Sequence, residues 1–135
     1  MKKVLVAIAI LSCSSMASAN CWIVSGLQGK ASFSGDGYEF IDDGVSGVSY
    51  RLMINGDSAL LTNMNGTSVS DVSYIPLSSN TMTGVYQAGG GITVETWSVT
   101  NDKKVLYSKV MNIPGFQTLT STKALVGNVA GTCDS

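Results

Sequence analysis

The chain of 135 residues contains no histidine. That absence removes the commonest general base, the commonest metal ligand and every Ser-His or Cys-His nucleophile pair. The serines also lack the G-x-S-x-G elbow of a hydrolase nucleophile. Charge is scarce, with eight Lys and Arg against nine Asp and Glu. No basic surplus exists to neutralise a run of phosphates, so nucleic acid drops out as a partner. The length allows about one domain, which excludes a multidomain enzyme. No segment sustains a 3.6-residue apolar repeat, and beyond Ala19 no apolar run nears the ~20 residues of a membrane-crossing helix. The absences together describe a small non-catalytic protein with no cofactor, no metal and no membrane span.

The N-terminus has the layout of a secretory signal: Lys2 and Lys3, then apolar Val4 to Leu11, then the small-x-small site Ala17-Ser18-Ala19. Cleavage after Ala19 leaves a single domain over residues 20–135, with six basic residues against nine acidic ones. The short two-lysine start is of bacterial type, which makes the periplasm or the exterior the destination. A competing reading takes Ile10-Leu11-Ser12-Cys13 as a lipobox and anchors the protein through a lipidated Cys13, although Leu11 suits its place in such a motif poorly.

Loss of the signal also removes Cys13 and leaves Cys21 and Cys133, an even pair that reads as a disulfide in an exported chain. A redox-active pair would need a cation or helix N-terminus beside one thiol, and the sequence supplies neither. Bonded cysteines hold their Cα atoms within about 7 Å. The first and last strands are therefore expected to be neighbours.

Strands and turns fill the rest. Val48, Tyr50, Leu52 and Ile54 alternate with Ser49, Arg51 and Met53, the period of a half-buried strand. Asn55-Gly56 follows as a type I′ hairpin signal before a return strand over Ser58 to Thr62. Further β-rich runs cover Thr67 to Ile75, Thr81 to Gln87, Ile92 to Thr100, Lys103 to Met111 and Lys123 to Thr132, with Pro76, Gly89-Gly90-Gly91 and Pro114 among the breaks. Trp22 to Phe33 reads as one long opening strand bent at Gly26 and Gly29, and Tyr38 to Ile41 as a short one. Short links make consecutive strands antiparallel. The fold class is all-β, a meander of about eight or nine strands closed or nearly closed into a barrel, with a β-sandwich as the alternative.

Candidate sites are few. Asp36, Glu39, Asp42 and Asp43 gather four acids among Gly35, Gly37 and Gly44. Like charges on loops are usually a solvated pair of turns, and where such a loop does bind it suits a basic protein partner better than calcium, because its spacing matches no EF-hand. Glu95 shares a strand face with Thr93 and Trp97, and reads as a surface carboxylate beside a partly buried indole, since no second carboxylate is designated for glycosidase chemistry. Asn65-Gly66-Thr67 matches a glycosylation sequon but reads as a turn. Trp22, Tyr38, Tyr50, Tyr74, Tyr86, Trp97 and Tyr107 fall on nearly every strand and suit a barrel lining.

Three functional readings follow. The first is a protein-binding module of the bacterial cell envelope, of inhibitor or immunity type, contacting a basic partner through the acidic cluster. The second is a small-molecule or lipid carrier that uses the barrel interior. The third is a structural component of the envelope or of a surface polymer. A carrier needs a cavity of a few hundred Å³, roughly the lower bound for ligand sites; a binder needs a filled core and exposed loop tips.

Overall fold

In the computed structural model, which describes residues 20–133, the chain forms β1 (Asn20–Phe33), β2 (Phe40–Asn55), β3 (Ser58–Asn63), β4 (Ser73–Pro76), β5 (Thr81–Ala88), β6 (Gly91–Val99), β7 (Lys104–Asn112) and β8 (Ser121–Thr132). They hydrogen-bond in the order β3-β2-β1-β8-β7-β6-β5-β4, each pair antiparallel. The single sheet curls into a nearly closed barrel, so the sandwich alternative does not form. Among the described residues the only helix is a 3-10 turn, Ser34–Asp36. The signal segment and Cys13 lie outside the described residues.

The seam of the barrel falls between β3 and β4. One antiparallel bridge, Thr62 to Ser68, partly spans it from the link that joins the two strands. That link was expected to be strand from Thr67 onward. Asparagine chemistry ends it early: Asn63 Oδ1 accepts from the backbone N–H groups of Asn65 and Thr67. The side chain satisfies donors that a ladder would otherwise take, and β4 is left with four residues.

Two other local expectations shift. The segments over Tyr38 to Ile41 and Val48 to Ile54 fuse into the one strand β2, because a bulge carries the chain through the glycines between them. Pairing steps from Ser25 opposite Ser49 to Leu27 opposite Val45, with Gly26 at φ 67° and Gly47 at φ 72°. The β2–β3 hairpin turns on Gly56-Asp57 rather than on Asn55-Gly56, since Asn55 already pairs with Ser58. Only Gly56 has positive φ there, the glycine placement of a type II′ turn. This register keeps Ile54 and Ala59 together on the inner face.

Inward residues of alternate parity fill one end of the barrel. Ile54, Met82, Val99 and Val105 are buried there with Val24 and Leu52. Cys21 and Cys133 form a disulfide with Cα atoms 4.9 Å apart, and the Cys133 N–H donates to the Cys21 carbonyl. The first and last strands are neighbours, as the cysteine pair implies. This is the closed end.

Candidate functional site in the barrel lumen

Chemistry changes halfway along the lumen. On β6 the buried parity reads Gly91, Thr93, Glu95, Trp97, Val99, so a carboxylate sits among apolar neighbours with only 6% of its residue surface exposed. The expectation of a surface Glu95 is therefore corrected. Strand alternation puts it on the same face as Trp97, and the fold supplies the partners that burial of a carboxylate demands.

Those partners come from two strands, β4 and β7. Glu95 lies opposite Gly84 on β5 and Lys109 on β7. Gly84 in turn faces Tyr74 on β4. A Cβ at Gly84 would fall 2.7 Å from Tyr74 Cδ1 and 2.4 Å from Val72 Cγ1, so the glycine is the space through which the tyrosine reaches across. The Tyr74 hydroxyl donates to Glu95 Oε2. The Tyr107 hydroxyl donates to Oε1 at 3.2 Å, and Lys109 Nζ stands 3.4 Å from the same oxygen. Burial, reinforced by the negative charge of Glu95, pushes both tyrosine hydroxyls well above their ordinary pKa. Both are neutral donors at any physiological pH.

Trp97 stands next along β6. Its ring lies 4.5 Å from that of Tyr107 and meets Tyr50 edge-on at 6.2 Å. The buried indole N–H lies towards the Tyr74 hydroxyl but makes no hydrogen bond of acceptable geometry.

A second ion pair closes the wall. Lys123 on β8 sits directly opposite Lys109, and its Nζ is 2.7 Å from Asp43 Oδ2. The contact is off the axis of a formal hydrogen bond, yet at that distance the charges are paired. The Lys123 ammonium holds the Asp43 carboxyl below its usual pKa against the opposing effect of burial, and the Gly44 N–H adds to the lowering. Lys123 also lies 5.3 Å from the centre of the Phe33 ring.

The two ion pairs and the Trp97, Tyr107 and Tyr50 rings, with Leu61, Val69 and Leu125, line a cavity of about 260 Å³. A larger hollow of about 810 Å³ follows Leu27–Lys30 and Asp42–Ser46, but it is a groove open to solvent with no aromatic side chain. The smaller cavity is where aromatic surface, charge and an unused donor converge.

The acidic cluster is divided. Asp36 lies in the 3-10 turn and Glu39 in the link that follows, both exposed. Asp42 points outward to an ion pair with Lys30, both side chains largely in solvent. Asp43, one residue on, points inward to Lys123. Asp36, Glu39 and Asp42 share the surface with exposed Tyr38, Phe40 and Phe116. The loops are tied together by Ser34 N–H to the Thr120 carbonyl and Gly35 N–H to the Gln117 carbonyl. No group of three or more His, Cys, Asp or Glu is placed to hold a metal ion among the described residues.

Neither Lys109 nor Lys123 stood out from the sequence. The available signal was parity: Lys109 shares that of Tyr107, and Lys123 that of Leu125. Comparison with protein-family models, with curated proteins and with solved structures finds no match.

Proposed function

We propose that this protein is an exported binding protein that holds a small molecule in the open end of its barrel. The disulfide between Cys21 and Cys133 suits an extracellular or periplasmic protein, and no helix among the described residues is long and apolar enough to cross a membrane. The observation that carries the reading is the contrast within one lumen. Apolar side chains pack the closed end, where a half-open hollow of about 520 Å³ beside Trp22 and Val99 has no carboxylate in its lining, while the other end keeps a cavity walled by Trp97, Tyr50 and Tyr107 with paired charges at its edge. A barrel of about eight strands can fill its interior completely with side chains. Here it does not, and the unfilled part collects a few convergent polar groups on aromatic walls, the composition of a ligand site.

Titration with N-phenyl-1-naphthylamine, a neutral probe that brightens in apolar sites, tests this. A saturable one-site rise is expected, weakened at least tenfold by Val69→Phe, which narrows the cavity from an exposed rim position. A rise that never saturates, or one indifferent to Val69→Phe, overturns it.

One observation favours a second reading. Tyr38, Phe40 and Phe116 are 59%, 67% and 58% exposed beside Asp36, Glu39 and Asp42, and Tyr38 is fixed at φ 63°, strained for a bulky residue. Exposed aromatics rimmed by acids on tied loops form a contact patch for a basic protein partner in the cell envelope. Association should then slow with added salt and with Asp42→Asn; an association rate indifferent to both removes this reading.

A further inference from the structure

We infer that the lumen ligand is a small ring-bearing monocarboxylate, its carboxylate held between Lys109 and Lys123 and its ring against Trp97 and Tyr107. The inference rests on the lumen being a ligand site and adds the ligand's chemistry. It follows from which hydrogen-bonding groups in the cavity are already used. Glu95 already has three partners, with Tyr107 and Lys109 on one oxygen and Tyr74 on the other. Asp43 accepts the Gly44 N–H on one oxygen and is charge-paired with Lys123, off a hydrogen-bond axis, at the other. The lysines differ, since each ammonium carries three N–H donors and each has one carboxylate partner in the lumen. The Trp97 N–H is also unspent. The unmet capacity around the cavity is thus dominated by donors. A ligand that satisfies it brings acceptors, and an anion does so most strongly.

Charge limits how much anion. Lys109 and Lys123 are directly opposite on adjacent strands, an unfavourable pairing for like charges that a shared counter-ion relieves. Glu95 and Asp43 already balance the two lysines formally, so a monoanion brings the group to one net negative charge and a phosphate dianion to two. In a half-buried site the smaller excess costs less. Size and wall chemistry set the remainder. The cavity of about 260 Å³ falls just below the roughly 300–1,000 Å³ of drug-sized sites, which suits one ring or two fused rings. Trp97, Tyr107 and Tyr50 offer aromatic faces and edges at which a flat ring stacks.

The test uses the indole N–H resonances of the full-length folded protein, of which there are two because the chain has two tryptophans; Trp22→Phe identifies that of Trp97. Three isosteric probes are titrated: naphthalene-2-carboxylate, naphthalene-2-carboxamide and 2-naphthylmethylammonium. The carboxylate is expected to shift the Trp97 signal saturably at concentrations at least tenfold below those the amide requires, and the ammonium to be weakest. Lys123→Met should erase most of the carboxylate's advantage while leaving the amide's affinity within about twofold. An amide or ammonium that binds as tightly as the carboxylate overturns the anion inference and leaves the lumen site standing. If none of the three moves the Trp97 signal at millimolar concentration, the ligand class and the lumen site both fall.

Discussion

The two ends of the lumen are built by the same strands on the same parity, yet they solve opposite problems. At the closed end Ile54, Met82, Val99 and Val105 exclude water, and the Cys21–Cys133 bridge ties the chain ends together. At the open end Glu95, Lys109, Asp43 and Lys123 occupy inward positions that Val or Leu could fill. Replacing buried ion pairs by apolar residues is often neutral or stabilising, so folding does not need charge there. A local rule broken at one place in an otherwise consistent barrel is where function is expected.

The largest expected effect lies at the closed end. The bridge spans 112 residues, and replacing both Cys21 and Cys133 with Ser should cost about 4 to 5 kcal/mol on the chain-entropy model. Where the variant stays folded, its affinity for the naphthylamine probe should be unchanged, because the bridge lies at the opposite end from the cavity. Equilibrium denaturation and the probe titration report the two quantities separately, and a loss of both would break the division into ends.

Gly84→Ala comes next. Its methyl would press on Val72, Tyr74 and the Ser73 carbonyl, at a cost of about 1 to 3 kcal/mol. It should also move Tyr74 off Glu95, so probe binding should change here where the disulfide variant leaves it alone. Thermal unfolding beside probe affinity checks both.

Smaller again is the pH dependence, which the open end sets at both extremes. Tyr74 and Tyr107 ionise near pH 10 in an unfolded chain and well above that in the lumen. The folded state therefore holds protons that the unfolded state releases. Their contribution is complete below about pH 10 and is lost as pH rises beyond it. Asp43 has the opposite sign. Its pKa is lowered from 3.8 by Lys123, so the stability it adds is present above that value and is lost as pH falls through the folded pKa. Denaturant midpoints against pH should show a decline above pH 10 that Tyr74→Phe reduces.

Much of the barrel was legible in the sequence for local reasons. Alternation over Val48 to Ile54, the glycine run at 89–91 and the breaks at Pro76 and Pro114 each act within a few residues of themselves. The cysteine pair carried the one long-range fact. What stayed hidden was relational. The continuity of β2 through Gly47 depends on a bulge opposite Gly26, and the early end of strand structure after Asn63 depends on where one side chain turns. Glu95 was misplaced because the tendency of a carboxylate to be exposed outweighed its parity with Trp97. Its donors, Tyr74 and Tyr107, lie 21 and 12 residues away, and a strand read alone does not show them.

The smallest contrast is between adjacent residues. Asp42→Asn removes an ion pair held in solvent and should leave stability unchanged within error, whereas Asp43→Asn leaves Lys123 half-buried without its counter-charge and should lower it detectably. Equal effects would erase the distinction between the outer and inner faces of β2.

The most direct measurement locates a bound probe. Intermolecular nuclear Overhauser contacts from N-phenyl-1-naphthylamine should reach Leu61, Trp97 and Tyr107 inside the barrel. Contacts confined to Tyr38, Phe40 and Phe116 would place the binding surface on the outer loops and contradict a ligand site in the lumen.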